Sequence, residues 1–400
     1  MMIPYGYKQT EVGVIPEDWE CTTAKQLMKI ETGSRNTENK TNTGIYPFFV
    51  RSQKIESIDT YHYNCEAVLT AGDGVGTGKV FHYCIGKFDA HQRVYVMSGF
   101  NGISGRYFYY YFSENFEKEV SKYTAKSSVD SVRHDMIAEM KIPLPPLPEQ
   151  QRIAEALSDV DGMISSLEKL VAKYKSIKTA CLQQMFTQNG ETVPRMRFPG
   201  FTGAWEQRKY GEVVETRRGL TYKPSDICDS GIRVLRSSNI DEDTFVLKAD
   251  DVFVKKDAAN IDYSKENDIL ITSANGSSRL VGKHAIISSI SGNPAVHGGF
   301  MLLGTTKEPY FINASMGSSW YRRFIELYVA GGNGAIGNLN KNDLDNQAIL
   351  IPSEPEQRAI GAFFKQLDHL ITLHQRKLEK VQKIKQGMMQ QLLTGKIRLV

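Results

Sequence analysis

The chain has 400 residues, of which 41% are hydrophobic and 24% are charged, and its net charge is +4. This length exceeds one ordinary core and suits two domains of roughly 150 residues each, and the composition excludes a disordered chain. The small positive charge permits a polyanionic partner without requiring one, because the local distribution of charge matters more than the sum.

The cysteines and the apolar runs indicate the compartment. Five cysteines are scattered along the chain without close pairs: Cys21, Cys65, Cys84, Cys181 and Cys228. This spacing fits neither a disulfide framework nor a zinc site, which points to a reducing environment. There is no signal-like start and no apolar run of about 18 residues. We therefore expect a cytoplasmic protein that does not enter a membrane.

Residues 1–147 are predicted to form a first globular domain. Short apolar runs such as Ala67–Leu69 and Arg93–Val96 alternate with Gly, Asn, Asp and Ser, which predicts strands joined by tight turns, and a helix is predicted over 105–122. A long helix follows in the segment 148–189. Its start is marked by Pro-Glu-Gln, because proline fixes φ ahead of the first turn and the carboxylate complements the helix dipole.

The same order of elements then repeats. Residues 190–352 are predicted to form a second globular domain, with strands over 232–235 and 268–271 and a helix over 317–330. A second long helix and a tail occupy residues 353–400. We expect both globular domains to be α+β, without the regular alternation of βαβ units.

The two long helices are an internal repeat. Residues 148–187 align without gaps on residues 355–394, and 12 of the 40 positions are identical, where chance would supply roughly two or three. The identical positions are Pro148, Glu149, Gln150, Ile153, Asp161, Ile164, Lys173, Ile177, Lys178, Gln183, Gln184 and Thr187. A weaker echo lies upstream, where Trp19-Glu20 matches Trp205-Glu206 and Gly33 matches Gly219.

Apolar residues recur in both helices at alternating steps of four and three. The first seam is Ile153, Leu157, Val160, Ile164, Leu167, Val171 and Tyr174, and the second is Ile360, Phe364, Leu367, Ile371, His374, Leu378 and Val381. A period of 3.5 predicts a coiled coil, in which the two helices pair antiparallel with approximate two-fold symmetry. Each would be about 57 Å long. Two ordinary amphipathic helices on their own domains are the alternative, against which the strict seven-residue repeat argues.

Polar and basic residues lie beside the predicted strands of both domains, where they could reach DNA. In the first domain they are Arg35, Arg51, Ser52, Gln53, Lys54, Gln92, Arg93, Lys126 and Ser127. In the second they are Arg217, Arg218, Arg233, Arg236, Ser237, Ser238, Asn239, Ser277, Arg279 and Asn333. Arginine matches the edge of guanine, asparagine and glutamine match adenine, and hydroxyls bind phosphate. Each cluster alone also fits a solvated loop, and recurrence in both domains favours DNA binding.

Catalytic motifs are missing from the sequence. The stretch most similar to a phosphate-binding loop is 72–79. It has Asp73 where a glycine is needed, and it is followed by Val80 where a serine or threonine is needed. The eight histidines include no pair with zinc-ligand spacing, and no serine lies in a nucleophile elbow. We expect no catalytic residue and no bound metal.

These features together resemble a known family. Val14–Glu20 opens the first half and Arg197–Trp205 opens the second, and each half closes with Ile-Pro followed by Pro-Glu-Gln. Two divergent globular domains alternating with two similar long helices resemble the specificity subunit of type I restriction-modification systems. The resemblance covers essentially the whole chain. The second copy lacks the proline-rich turn of residues 143–146, which affects only that local turn.

The resemblance implies a division of labour. Each globular domain would be a target recognition domain that reads one half of a split double-stranded DNA site, while the helices set the gap and dock two methyltransferase subunits. S-adenosylmethionine, ATP and Mg would belong to the methyltransferase and restriction subunits, and this chain would bind no cofactor. A stand-alone repressor with two DNA-binding domains, a fused restriction-methylation enzyme and a coiled-coil scaffold are the alternatives. The target sequence is not determined by these patterns.

Overall fold

A computed structural model describes residues 3–74, 76–122, 131–188, 190–290, 292, 294–329 and 337–400. The chain forms two compact units. Unit 1 comprises residues 1–168 and 376–400, and unit 2 comprises residues 169–375. Of the candidate DNA-binding residues, Lys126, Ser127 and Asn333 lie outside the described residues.

Unit 1 contains the first globular domain, here called head 1. Its strands are β1 (Tyr7–Thr10), β2 (Gly13–Pro16), β3 (Glu20–Thr23), β4 (Lys29–Thr32), β5 (Tyr46–Phe49), β6 (Glu56–Ile58), β7 (Tyr63–Ala71), β8 (Phe81–Ala90), β9 (Val94–Ser98) and β10 (Lys141–Leu144). Its helices are α1 (Ala24–Leu27), α2 (Gly105–Ser121) and α3 (His134–Ala138). The first long helix, α4 (Leu147–Gln184), follows.

A six-stranded sheet forms the centre of head 1, in the order β4-β9-β7-β8-β5-β6. The β5–β8 pair is parallel and the other neighbours are antiparallel. The predicted helix over 105–122 is α2, whose buried aromatic face, including Tyr107, Phe108 and Phe112, packs in the main core of the unit. Burial of such large rings supplies much of the apolar stabilisation of this core.

Unit 2 contains the second globular domain, head 2. Its strands are β11 (Glu206–Lys209), β12 (Glu215–Arg218), β13 (Ile227–Cys228), β14 (Ile232–Leu235), β15 (Ile240–Asp241), β16 (Thr244–Phe245), β17 (Val252–Val254), β18 (Ile269–Thr272), β19 (His284–Ile286), β20 (Ala295–His297), β21 (Met301–Thr305) and β22 (Ala348–Ile351). Its helices are α5 (Tyr210–Val213), α6 (Pro309–Met316), α7 (Ser319–Tyr328) and α8 (Lys341–Asn346). The second long helix is α9 (Glu354–Leu392).

The sheets of head 2 repeat the pairing of head 1. Strands β12-β21-β18-β19 form one sheet and β13-β17-β14-β20 the other, so β12, β21, β18 and β14 correspond to β4, β9, β7 and β5. The parallel β14–β20 pair corresponds to the parallel β5–β8 pair.

The structure shows why Gly33 and Gly219, the matching glycines upstream of the helices, must be glycines. A Cβ atom on Gly33 would lie 2.1 Å from the carbonyl oxygen of Ala90, and one on Gly219 would lie 1.9 Å from that of Gly298, so no larger residue fits.

Each head is closed by a strand pair next to a long helix. In unit 1, β3 pairs antiparallel with β10, and in unit 2, β11 pairs antiparallel with β22. The glutamate that follows does more than complement the helix dipole, since Glu149 and Glu356 are only 2% and 1% exposed. Glu149 binds the Arg398 guanidinium at 2.7 Å, and Glu356 binds that of Arg197 at 2.6 Å. Each arginine therefore neutralises a buried carboxylate at the start of a long helix.

The two long helices run antiparallel within each unit, as predicted. In unit 1 the start of α4 and the end of α9 share one core, and in unit 2 the end of α4 and the start of α9 share another. Every predicted seam residue is buried or half-buried. His374 is a tolerated polar seam residue whose ring stacks on Tyr174 at 5.6 Å. The α+β fold with two long antiparallel helices is confirmed.

One ion pair of the same kind joins α4 to α9 in each unit. In unit 1, Lys385 Nζ lies 2.6 Å from Asp161 Oδ1, and in unit 2, Lys178 Nζ lies 2.8 Å from Asp368 Oδ1. These are equivalent positions of the repeat, so we call the pairs clamp 1 and clamp 2. Within the described part of the chain, no helix is long and apolar enough to span a membrane.

Candidate nucleic-acid interface

Four loops of head 1 come together and carry most of its predicted DNA-binding residues. The loops follow β4, β5 and β7 and join β8 to β9. His91 N donates to Phe49 O at 2.9 Å and Gly72 N donates to Arg93 O at 2.7 Å, which ties three of the loops to one another. Their polar side chains form a cluster that we call tip 1: Arg35, Arg51, Asp73, Gln92 and Arg93.

Asp73 organises the charge of tip 1. Its carboxylate oxygens lie 3.0 Å from Arg51 Nη1 and 3.7 Å from Arg93 Nε. The arginine side chains remain 46% and 66% exposed, and such pairs in water contribute little stability. Burial, together with the charges of Arg51 and Arg93, lowers the pKa of His91, which leaves this imidazole neutral at pH 7. Around Asp73, tip 1 thus presents two guanidiniums against one carboxylate, which gives a net positive surface whose ion pairs can be exchanged for contacts with a ligand.

Arg35 and Gln92 are the other two candidates in tip 1, and the remaining described candidates of head 1 lie on the loop after β5. Arg35 Nε lies 2.9 Å from a carboxylate oxygen of the fully buried Asp89, and this ion pair fixes the position of the Arg35 side chain. Gln92 Nε2 donates to Asn36 Oδ1 at 2.6 Å. The next residues of the loop after β5 are exposed, and among them Lys54 is paired with Glu56 at 3.2 Å. These exposed residues are Ser52, Gln53 and Lys54.

The equivalent loops of head 2 also come together. Gly298 N donates to Leu235 O at 2.8 Å and Ser273 N donates to Phe300 O at 2.9 Å, the same two links as in head 1. Asn275 Nδ2 donates to Ser237 Oγ at 2.9 Å. The side chains here form tip 2: Arg236, Ser237, Asn275 and Phe300. They line an open cavity of about 810 Å³ whose walls are mainly apolar.

Three predicted DNA-binding residues of head 2 are bound to other side chains of the head, so their polar groups are not free to contact DNA. Asn239 is fully buried, and its amide donates to Asp251 Oδ1 at 2.8 Å, so it does not reach a base. Arg233 binds the same Asp251, and Arg217 binds the buried Asp268 at 3.3 Å. The sequence pattern assigned these three to DNA because their burial is not visible in a short polar run. We remove them from the candidate set.

The remaining candidates of head 2 differ in exposure. Arg218, Ser277 and Arg279 are exposed. Ser238 has a buried hydroxyl without a hydrogen-bond partner among the described residues. Tip 2 therefore retains one half-buried arginine, Arg236, beside exposed arginines on the neighbouring loops.

Sequence analysis missed Asp73, Asn275 and Phe300. Asp73 is the second residue after β7 and Asn275 is the third after β18, and a search for basic residues ignores both positions. Phe300 follows two glycines in the turn between β20 and β21, and a single aromatic residue in a short loop gives no signal in the sequence. Among the described residues, no group of three or more His, Cys, Asp or Glu side chains could hold a metal ion.

Comparison with known proteins places both halves of the chain in one family. The family described as "Type I restriction modification DNA specificity domain" matches residues 16–178 and 203–383. The MjaVIII specificity subunit of a type I restriction enzyme of Methanocaldococcus jannaschii is 25% identical over 96% of this chain and 94% of its own length. The MjaX specificity subunit of the same organism, described as putative, is 24% identical over 98% of this chain and 97% of its own length.

Solved structures show the same fold. The S subunit of a type I restriction-modification system from M. genitalium superposes with a TM-score of 0.68 at 14% sequence identity. The match covers 94% of this chain and 96% of the other.

Proposed function

The chain belongs to the family of type I restriction modification DNA specificity domains, carries two of them, and on this basis we propose how it recognises DNA. Head 1 reads one half of a split double-stranded DNA site through tip 1, and head 2 reads the other half through tip 2. The observation that carries this proposal is the same convergence of four loops in both heads, with different side chains at equivalent places. A shared scaffold with different tips is what the reading of two different half-sites requires.

The chemistry of the tips supports contact with base edges. Arg51 and Arg93 offer planar guanidiniums that match the O6 and N7 acceptors of guanine, and Gln92 matches adenine. Ser52, Gln53 and Lys54, on the same loop as Arg51, would bind phosphates. In head 2, Arg218, Arg236, Ser237, Ser277 and Arg279 are the corresponding set, with Ser238 below them.

We further propose that the chain has no catalytic activity of its own. Specificity subunits are in general non-catalytic, and this one would recruit two methyltransferase subunits, which bind S-adenosylmethionine, and restriction subunits, which use ATP and Mg. It would act in the cytoplasm on the DNA of the cell. The paired helices α4 and α9 are the docking surface that we assign to the methyltransferase subunits.

Co-expression with the methyltransferase subunits tests the function. The purified assembly should methylate adenine at a split site, which methylation-sensitive sequencing of treated DNA identifies, and the chain alone should methylate nothing. A stand-alone repressor would bind its site tightly without partners and would gain nothing from co-expression. Tight binding without partners would contradict the proposed function as a specificity subunit.

The role of the helices in setting the gap has its own test. Seven residues would be inserted after Ser166 in α4 and after the equivalent Leu373 in α9, which lies between the same clamp residues in the repeat. A seven-residue insertion preserves the period of the seam, so both clamps are retained. We expect the gap between half-sites to change and both half-sites to stay the same. Altered half-sites would contradict the assignment of reading to the heads.

A further inference from the structure

Phe300 stands out on the surface of head 2. Its exposed fraction is 74%, and among the described residues it is the only phenylalanine with a large exposed surface. An aromatic ring left in water beside the cavity of tip 2 forgoes the stabilisation that burial would give. Such a ring is typical of a surface that becomes covered by a binding partner.

The backbone under this ring is held rigidly. Phe300 O accepts hydrogen bonds from Ser273 N at 2.9 Å and from Ala274 N at 3.1 Å. The two glycines before it are closely packed, since a Cβ atom on Gly298 would lie 3.2 Å from Val234 Cγ1 and one on Gly299 would lie 3.1 Å from Thr221 Oγ1. The ring is therefore presented from a fixed turn, so little conformational entropy is lost when it makes a contact.

The neighbourhood of Phe300 combines an apolar wall with a hydrogen-bond donor. Leu220, Tyr222 and Ile227 line the cavity beside it, and the guanidinium of Arg236 lies at the same cavity. Arg236 Nε is buried without a hydrogen-bond partner among the described residues, and its Nη2 makes only a long hydrogen bond of 3.5 Å to Asp250 O, which a ligand acceptor could replace. A ligand that suits this pair has an apolar group next to a hydrogen-bond acceptor.

In the major groove, thymine presents that combination. Its C5-methyl group is the apolar group that the base pairs display there, and its O4 is an acceptor next to the methyl group. Guanine and adenine offer only polar atoms on the same edge, which suits arginine, glutamine and asparagine better. The equivalent position in head 1 is Arg93, which pairs with Asp73 at 3.7 Å.

Resting on the proposed function, we infer that Phe300 determines specificity in head 2 by contacting the C5-methyl group of a thymine in its half-site. The same turn position reads a polar edge through Arg93 in head 1 and a methyl group through Phe300 in head 2. Because Phe300 is exposed, Phe300→Ala leaves the core of head 2 intact. An unchanged Tm verifies this before DNA is added.

The experiment is a uracil scan of the half-site assigned to head 2. Each thymine is replaced in turn by deoxyuridine, which keeps the base pair and lacks only the methyl group, and the affinity of the full chain assembled with its methyltransferase subunits is measured. We expect one position at which the replacement weakens binding about fourfold, the ratio for one methyl group removed from an apolar contact. Phe300→Ala should bind about tenfold more weakly and should no longer distinguish thymine from uracil there. Arg93→Ala, the matched control, should keep the full discrimination.

Three outcomes overturn the inference. If the Phe300→Ala variant still distinguishes thymine from uracil, or if no thymine in this half-site shows the effect, Phe300 does not read a methyl group. A uniform loss of affinity for all sequences likewise overturns it, because that loss indicates a ring inserted between base steps. Binding to a split site without discrimination at thymine defeats this inference alone, whereas an assembly that binds no split site defeats the proposed function as well.

Discussion

Head 1 and head 2 share a scaffold and differ at the tip. Both join their loops by the same backbone hydrogen bonds, from His91 to Phe49 in head 1 and from Gly298 to Leu235 in head 2. Tip 1 is charged, with two arginines on Asp73, while tip 2 surrounds an apolar cavity of about 810 Å³ with Phe300 at its rim. Backbone pairing therefore sets the position of each residue that would read DNA, and the side chain at that position is free to differ.

The two units also differ in the contacts of the buried glutamate at the start of each long helix. In unit 1, Glu149 accepts hydrogen bonds from Arg398, from Trp19 Nε1 at 3.1 Å and from Leu399 N at 3.3 Å. In unit 2, Glu356 is bound by Arg197 through both oxygens, and the equivalent Trp205 Nε1 has no partner among the described residues. Unit 2 therefore depends more heavily on its single arginine.

The largest expected effect comes from removing that arginine. Arg197→Met leaves the Glu356 carboxylate buried without its cation, which should lower the free energy of unfolding by about 3–5 kcal/mol. Arg398→Met should cost about 1–2 kcal/mol less, because two neutral donors still bind Glu149. Denaturant unfolding measures both losses, and hydrogen exchange assigns them to the β11–β22 pair or to the β3–β10 pair.

Arg195→Met is the matched control for this prediction. Arg195 is 62% exposed and pairs with Glu191 at 3.3 Å on the same short segment, so its removal should change the free energy of unfolding by less than about 1 kcal/mol. Equal losses for Arg197→Met and Arg398→Met would show that Trp19 and Leu399 contribute nothing to Glu149.

The next largest expected effect is a pH dependence of stability that head 2 has through His297. His297 in head 2 is 1% exposed, and burial lowers its pKa to about 4, while head 1 has Ala90 at the equivalent place. A histidine whose pKa is lower in the folded protein than in the unfolded chain, where it is about 6.5, makes its full contribution to stability when the pH is above 6.5. That contribution is lost as the pH falls toward 4. Between pH 7.5 and pH 5 the loss should be about 2 kcal/mol.

Urea unfolding at both pH values measures this loss against a His297→Gln variant. The variant lacks the titrating group, so its free energy of unfolding should fall by about 2 kcal/mol less than that of the wild type over the same range. Parallel pH profiles for the two proteins would mean that His297 accepts a proton in the folded state as readily as in the unfolded state.

A smaller effect concerns the readout by tip 1. Arg93→Ala should reduce binding at one base pair of the half-site read by head 1 by about 1–2 kcal/mol, because one guanidinium contact is lost. The half-site read by head 2 should be unchanged. Lys54→Ala serves as the control, since Lys54 is 76% exposed and its loss should weaken all sequences alike. Equal weakening of both half-sites by Arg93→Ala would assign Arg93 to phosphate or to structure.

The long helices and the heads were predictable from the sequence to different extents. The repeated stretches 148–187 and 355–394 lie within three residues of α4 and α9 at each end, because helical periodicity is a local property. The ion pair of Glu149 with Arg398 was not predictable, since its partners lie 249 residues apart. Arg233 and Arg236 show the limit at the site. They are three residues apart and of one type, and only the fold shows that the first is bound to Asp251.

The smallest expected effect tests whether the two clamps are equivalent. Lys178 Nζ also lies 3.3 Å from Asp243 Oδ2. Lys178→Glu therefore places a third carboxylate beside Asp368 and Asp243, and it should lower the free energy of unfolding by about 1 kcal/mol, since both aspartates are partly exposed. Adding Asp368→Lys restores an ion pair of reversed polarity, and the double variant should regain most of the loss, as a double-mutant cycle measures.

The corresponding cycle in clamp 1 uses Lys385→Glu and Asp161→Lys. There Tyr110 OH also donates to Asp161 Oδ2 at 2.7 Å, so Asp161→Lys loses this hydrogen bond as well and the reversal should rescue less. Clamp 2 should therefore recover more of its stability than clamp 1, although the repeat gives them the same pair of residues. Equal recovery in the two cycles would mean that the tyrosine contributes nothing to the clamp of unit 1.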